Sequence, residues 1–388
     1  MFCGVALFGA EFVSLAATLR RCAGFGREAF LKPENIGSGV MVPAHKMKNF
    51  CCLLLVVVWG SACRTAQPQA DSHANTKAKA ILNYFQSLES RPDKRLVSGQ
   101  FSNFGGGASL RLINEIHDQT GHWPAILGVD YADFPAGSLT YAVPNQTAIG
   151  YWGQGGLITV SAHLYNPART NAAGGGLRDK GVDLNALLAT NTEVHVRWLR
   201  ELDRVAEGLQ QLKDAGVVVL WRPFHEMNGD WFWWSGQDPQ TFMKLWRQMF
   251  NYFTETKGLD NLLWVYAPNH GAKTAAYYPG DRYVDLIGLD AYTDFVDTNH
   301  IQGYAELARI HKPFGFTEYG PHAPNNPPGD FDFRRLIQGL RKEFPRTVFF
   351  MCWNGKWSLA RNNNVTELLS DSWIVNREDL PEGLCGGK

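Results

Sequence analysis

Short apolar runs recur along most of the chain, and each is followed by a more polar segment. Several are nearly continuous in Val, Ile, Leu and Phe, as in strands that are buried on both faces of a parallel sheet. The eight runs cover residues 95–102, 124–134, 156–166, 216–226, 261–269, 284–294, 313–320 and 347–355. They predict eight parallel strands.

Helical patterns lie between these runs. From Val196 to Leu212 apolar residues recur every three or four positions, and Gly216 follows as a common helix stop signal. A second helix is predicted from Pro239 to just before Gly258. Eight strand–helix units predict an α/β fold, a TIM (β/α)8 barrel that forms a single catalytic domain over residues 74–380. A doubly wound open sheet is the alternative.

The segment 47–63 has the layout of an export signal. Lys48 precedes an apolar run from Phe50 to Trp59, and small residues lead to Cys63. The run is shorter than the roughly 20 residues that span a bilayer. Residues 47–62 are therefore predicted to be a signal peptide of the lipoprotein type, with Cys63 as the candidate lipidated residue and a periplasmic or outer-membrane location in a bacterium.

Two further domain predictions follow from that signal. Because a signal should open the chain, residues 1–46 are expected to be an upstream extension outside the fold, with translation starting at Met47. Residues 63–73 are polar and are predicted to be a linker. Only Cys352 and Cys385 lie beyond Cys63, so no disulfide framework is predicted. Cys352 is expected to be a buried thiol, and a single bridge between the two is the alternative.

The charge balance argues against polyanionic binding partners. Lys plus Arg and Asp plus Glu number 37 each, which gives no net field to attract nucleic acid or other polyanions. Aromatic residues make up 13% of the chain, with thirteen Trp and thirteen Tyr. Such a composition suits a surface that stacks on a flat, uncharged ligand.

Polar side chains follow the predicted strands, at the end of a barrel where chemistry is carried out. They are His163, His225, Glu226, Asp290, Tyr292, Asp294, Glu318, Tyr319, Trp353 and Asn354. The glutamates follow the fourth and seventh strands. A facing pair of carboxyl groups is what glycoside hydrolysis needs, since one protonates the leaving oxygen while the other attacks the anomeric carbon. A lone Glu is usually a surface residue, but both of these follow apolar strands and lie among aromatic residues.

No metal or cofactor is predicted. His225 and Glu226 begin a zinc motif, H-E-x-x-H, but Gly229 stands in the place of the second histidine. The glycine-rich segments 103–109 and 171–179 lack the spacing of a phosphate-binding loop.

The segments WRPFHEMNGDWFWW, GLDAYTD and FTEYG, in this order, resemble glycoside hydrolase family 26, a family of retaining β-mannanases. The likeness extends from about residue 75 to 375. It implies that Glu226 is the general acid/base and Glu318 the nucleophile. It also implies that His163, His225, Trp231, Tyr292 and Trp353 contact the sugar or the nucleophile, and that Asp290 supports the nucleophile. Arg222 is expected either to donate to Glu318 with Tyr292 or to form a structural ion pair.

The resemblance implies a monomeric hydrolase of β-1,4-mannan, galactomannan or glucomannan, with membrane contact only through a lipid at Cys63. Two alternatives are the same machinery acting on mixed-linkage β-glucan or β-1,3-xylan, and a non-catalytic glycan-binding lipoprotein. A retaining enzyme requires the two carboxyl groups to lie roughly 5–5.5 Å apart. The long segment 165–185 after the third strand would decide between internal and terminal cleavage.

Overall fold

The computed structural model describes residues 69–133, 138–169, 173–322 and 329–386. The predicted upstream extension, the signal segment, Cys63 and the first part of the linker lie outside the described residues. Within these ranges, no helix combines the length and the apolar character needed to cross a membrane.

Eight parallel strands close into a barrel. The strands are β1 (Gly99–Phe104), β2 (Ile126–Asp130), β3 (Leu157–Ser161), β4 (Val219–Arg222), β5 (Leu262–Tyr266), β6 (Leu286–Tyr292), β7 (Phe314–Gly320) and β8 (Thr347–Cys352). Each pairs with the next, and β8 pairs with β1 where Cys352 faces Gln100. The predicted TIM barrel is confirmed, and the open sheet is wrong because this last pairing closes the ring.

Helices surround the barrel. They are α1 (Thr76–Leu88), α2 (Arg111–Thr120), α3 (Ala142–Gly153), α4 (Leu184–Leu188), α5 (Glu193–Asp214), α6 (Pro239–Asn251), α7 (Tyr304–Leu307), α8 (Arg334–Glu343) and α9 (Val365–Leu369). Both helices predicted from the pattern are present, as α5 and α6. Thr192 caps α5 and Asp238 caps α6 by accepting backbone N–H groups.

Most of the aromatic excess lies in the core. Six tryptophans are fully buried: Trp198, Trp221, Trp233, Trp234, Trp246 and Trp264. All six belong to the hydrophobic core, so they are not available as a ligand-stacking surface. The two described cysteines, Cys352 and Cys385, are free and buried. The predicted thiol at Cys352 is thus present, and the alternative of a bridge is wrong.

Candidate active site

The chain turns sharply after β4, and this turn presents Glu226. Phe224 and Glu226 have φ values of 50° and 57°, in the left-handed region that bulky residues rarely adopt. The Phe224 ring is held by five surrounding aromatic rings, those of Trp198, Trp233, Trp234, Phe242 and Trp246. The Glu226 N–H donates to the Ala267 carbonyl at 2.7 Å, which ties the turn to the segment after β5. Packing of buried aromatic rings therefore maintains a strained backbone at this point.

Glu226 is 8% exposed, and its surroundings favour its protonated form. Burial, together with the negative charge of Glu318, raises the pKa of Glu226 to about 7. The indole N–H of Trp231 donates to Glu226 Oε2 at 2.5 Å and acts in the opposite direction, since it stabilises the carboxylate. A carboxyl group with this pKa can both release and accept a proton near neutral pH.

Glu318 lies on β7 and is held by two donors. Arg222 donates from Nη2 to Glu318 Oε1, and the Tyr292 hydroxyl donates to Oε2 at 2.6 Å. Arg222 also donates from Nη1 to Asp290 at 2.9 Å, and Thr317 donates to the other Asp290 oxygen at 2.6 Å. Arg222 thus has both of its expected roles: it is the ion-pair partner of Asp290 and a donor to Glu318.

The two glutamates are close together. One carboxylate oxygen from each of Glu226, Asp290 and Glu318 lies within 4.8 Å of the other two. This spacing fits the roughly 5–5.5 Å of retaining glycosidases better than the 6.5–9.5 Å of inverting ones, which must fit a water molecule between the carboxyls. The positive charge of the cluster comes from the buried guanidinium of Arg222, which already binds two of the three carboxylates.

Two histidines lie in contact beside Glu226. His163 Nε2 and His225 Nε2 are 3.2 Å apart, and His163 Nδ1 lies 2.9 Å from Asp130 Oδ2. Burial, together with the positive charge of Arg222 and the proximity of His163, lowers the pKa of His225 well below its ordinary value. Asp130, at the end of β2, is not among the residues singled out from the sequence. Its position as an acidic residue that ends an apolar strand was the available signal.

Trp353 follows β8 and forms one wall of the same site. Its ring packs against Phe101 and Phe104, with centroids 4.8 and 5.5 Å away, and lies 6.4 Å from the His163 ring. The predicted site residues therefore lie within one connected group, running from Trp353 through the histidines and Glu226 to Glu318, Tyr292, Arg222 and Asp290.

Three other polar residues at strand ends make different contacts. Tyr319 is buried and donates its hydroxyl to the Thr293 carbonyl. Asp294 pairs with His322 at 2.7 Å. Asn354 lines a polar cavity with Ser102 and Arg361. None of the hydrogen bonds or ion pairs found for Tyr319 and Asp294 in the described structure reaches the two glutamates.

Comparisons with known proteins agree with this site. The model of the family described as Glycosyl hydrolase family 26 matches residues 70–379. A mannan endo-1,4-beta-mannosidase of Bacillus subtilis is 34% identical over 361 residues, covering 87% of this chain and 97% of that protein. Mannan endo-1,4-beta-mannosidase A and B of Caldalkalibacillus mannanilyticus is 35% identical over 328 residues, covering 81% of this chain but 63% of that protein.

A solved structure is also similar. The Bacillus subtilis mannanase BCman has a TM-score of 0.76 and 34% identity, and the match covers 82% of this chain and 98% of that one. The family match covers most of the sequence and includes β4, β6 and β7 with their polar ends. The chain belongs to glycoside hydrolase family 26.

Proposed function

We propose that this chain cleaves β-1,4-mannosidic linkages in mannan, galactomannan or glucomannan by double displacement, with retention of configuration. The observation that carries the proposal is the close pair formed by Glu226 and Glu318, in which one carboxyl has a pKa of about 7 and the other accepts hydrogen bonds from Arg222 and Tyr292. The choice of mannan rests on the relatives named as mannan endo-1,4-beta-mannosidases.

The first step forms a covalent intermediate. A Glu318 oxygen attacks the anomeric carbon, while Glu226 transfers its proton to the glycosidic oxygen and the bond to the leaving sugar breaks. Arg222 and Tyr292 aim the attacking carboxylate, because each donates to one of its oxygens. Trp353 offers a ring face on which the apolar side of a sugar can stack.

The second step reverses the role of Glu226. Once Glu318 is esterified, its negative charge is gone, and that charge is one of the causes that raise the pKa of Glu226. The pKa of Glu226 then falls, so the residue is ionised and can accept a proton from water. The water oxygen bonds to the anomeric carbon as the ester bond to Glu318 breaks, which releases the sugar and restores the Glu318 carboxylate. The hydrogen bond from Trp231 stabilises this carboxylate form.

Substitution of each glutamate tests the assigned roles. We expect Glu318→Ala to abolish hydrolysis, and added azide to restore cleavage with an inverted glycosyl azide product, because the small anion replaces the missing nucleophile. We expect Glu226→Ala to be glycosylated still by substrates with very good leaving groups, which need no proton. Identical behaviour of the two variants in product analysis and burst kinetics would refute the assignment.

The substrate is tested by following product release from galactomannan, glucomannan, mixed-linkage β-glucan and β-1,3-xylan. We expect turnover of the first two to exceed that of the others by orders of magnitude. Preference for β-glucan or β-1,3-xylan would replace the mannan assignment while leaving the chemistry intact. A Glu318→Ala variant with undiminished turnover would instead point to a contaminating enzyme and a binding role for this chain.

We also propose that the chain acts as a monomeric lipoprotein, exported with residues 47–62 as signal peptide and attached through Cys63 to a bacterial membrane that faces the periplasm or the outer surface. The support is the sequence layout before Cys63. Labelled palmitate should enter the wild-type chain but not Cys63→Ser in a host that processes lipoproteins. Peptides from residues 1–46 in the native precursor would contradict translation from Met47.

A further inference from the structure

Asp130 is a buried carboxylate whose two oxygens contact hydrogen-bond donors of Ser161, His163 and Ala132. Its Oδ2 accepts from Ser161 Oγ at 2.5 Å and lies 2.9 Å from His163 Nδ1. Its Oδ1 accepts the backbone N–H groups of Ala132 at 2.8 Å and of His163 at 3.3 Å. Burial by itself would raise the pKa of Asp130, but the neighbouring His163 and these hydrogen bonds outweigh it, and the pKa is lowered.

An ionised carboxylate determines which nitrogen of His163 carries the proton. A carboxylate can only accept, so His163 Nδ1 must donate, and in the neutral ring Nε2 is then an acceptor. The 3.2 Å contact with His225 Nε2 needs one donor and one acceptor. His225 must therefore carry its proton on Nε2, which leaves its Nδ1 as a lone pair.

The surroundings of His225 fit this arrangement. Its Nδ1 is buried and has no hydrogen-bond partner among the described residues. With the proton on Nε2, the ring has no buried N–H that lacks an acceptor. Buried N–H groups without an acceptor are rare in native proteins. The opposite tautomer would place an N–H at this unpartnered position and would need a doubly protonated His163.

We propose that Asp130 is a positioning residue that fixes the proton of His163 on Nδ1 and, through the contact between the two rings, that of His225 on Nε2 beside the acid/base. This inference rests on the proposed function of Glu226. A positive charge on His163 lowers the pKa of Glu226, so a neutral histidine pair helps Glu226 to hold its proton until the glycosidic bond breaks. Arg222, Glu318 and Asp290 also act on Glu226 through their charges.

The isosteric variant Asp130→Asn should exchange the protonated nitrogen in both histidine rings. The Asn oxygen can still accept the backbone N–H groups, while its amide nitrogen faces His163 Nδ1 and must donate to it. His163 then carries its proton on Nε2 and donates to His225, whose proton moves to the unpartnered Nδ1. We expect kcat to fall roughly 10- to 100-fold, the range seen for carboxylates that orient metal-bound histidines, with a smaller change in KM.

Nitrogen-15 NMR of the imidazole rings at pH 7 measures the tautomers directly, with signals assigned by their loss in His163→Gln and His225→Gln. The wild-type chain should show a protonated Nδ1 and a bare Nε2 for His163, and the reverse for His225. The opposite pattern would overturn the proposal, and this measurement needs no variant of Asp130 to fold. The NMR result is also independent of the substrate assignment, because failure to cleave mannan would leave the tautomer pattern unchanged.

Ser161→Ala is the matched control. It removes another hydrogen bond to the same Asp130 oxygen but keeps the carboxylate, so the wild-type tautomers should persist and kcat should fall less than in Asp130→Asn. A merely structural role for Asp130 would lower the melting temperature of both variants and leave the NMR pattern of both unchanged. Wild-type tautomers or wild-type kcat in a folded Asp130→Asn variant would refute the inference.

Discussion

At the scale of single residues, the proton of Glu226 depends on neighbours that act in opposite directions. Burial and the charge of Glu318 raise its pKa, while the Trp231 hydrogen bond and the charge of Arg222 lower it. The effects of burial and Glu318 are the larger ones, and the pKa of Glu226 is about 7. The protonated form, which the first chemical step needs, is therefore populated below about pH 7 and lost as the pH rises through that value.

The pH dependence of Trp231→Phe tests this balance. The variant keeps an aromatic ring but removes the N–H that stabilises the Glu226 carboxylate, so the pKa of Glu226 should rise. The fall of kcat/KM at alkaline pH, expected near pH 7 in the wild-type chain, should move to higher pH. The maximum should drop by roughly 10-fold, as expected for the loss of one hydrogen bond to a charged group.

Trp233→Phe is the control for that shift, because the Trp233 N–H donates to the Leu164 carbonyl instead of a carboxyl group. Its kcat/KM should fall over the same pH range as in the wild-type chain, although loss of a buried hydrogen bond should lower its melting temperature. An alkaline fall at lower pH in Trp231→Phe, or equal shifts in both variants, would contradict the assigned donor role of Trp231.

At the scale of elements, the loop after β4 determines where Trp231 lies. A Cβ added to Gly229 would lie 2.5 Å from Cη2 of the Trp231 ring, closer than real Cβ atoms come. Gly229 thus permits the close approach of the indole to the backbone that brings its N–H to Glu226. Gly229, which takes the place of the second histidine of the zinc motif, thus leaves room for the Trp231 ring in the structure.

Gly229→Ala should push the Trp231 ring away from Glu226. We expect a lower kcat/KM and an alkaline fall that moves to higher pH, in the same direction as in Trp231→Phe, because the same hydrogen bond is lost. Gly150→Ala, on α3, is the matched control, since apart from its own helix backbone and chain neighbours nothing lies within 4 Å of its added Cβ. It should keep wild-type activity and gain up to about 1 kcal/mol of stability from helix propensity. A wild-type pH profile for Gly229→Ala would show that the indole can move without losing its contact.

The elements also show what the sequence could and could not predict. The apolar runs predicted every barrel strand, but residues 216–226 correspond to the shorter β4, Val219–Arg222. An apolar pattern reports burial, and buried residues such as Phe224 continue past the last strand pairing. The glutamates could be found because each stands near the carboxyl end of an apolar run. The indole hydrogen bond and the role of Asp130 could not, because they depend on left-handed turns and side-chain directions that packing determines.

At the scale of the whole molecule, segments from both ends of the described chain pair with each other beside the closed barrel. The short strands Leu96–Val97 and Ile374–Val375 pair with each other, and the first also pairs with β8. Helix α1 buries six residues, which are Ala78, Ile81, Leu82, Tyr84, Phe85 and Leu88. The Phe85 ring contacts that of Phe349 on β8, with centroids 5.7 Å apart. The helix before the first barrel strand is therefore part of the folding unit.

Truncation tests the predicted start of the catalytic domain. A chain that begins at residue 69 should fold and keep full activity, because it retains α1 and the Ala70 N–H that donates to the buried Asp285 at 2.7 Å. A chain that begins at residue 91 loses the helix. Burial of each large apolar side chain contributes about 1.5–3 kcal/mol, so the loss is comparable with the 5–15 kcal/mol that stabilises a typical domain. We expect this chain to lack a cooperative melting transition and activity.

The substitution Phe85→Ala separates the packing of α1 from the length of the chain. It leaves every residue position in place but opens a cavity against β8, and it should lower the free energy of unfolding by about 3–5 kcal/mol, measured by urea denaturation. Activity at low temperature should persist, because Phe85 lies on α1 and not at the carboxyl ends of the strands where Glu226 and Glu318 lie. If the chain that begins at residue 69 is unstable, the domain starts before residue 69. If the chain that begins at residue 91 has the melting temperature of the longer one, the domain starts after α1.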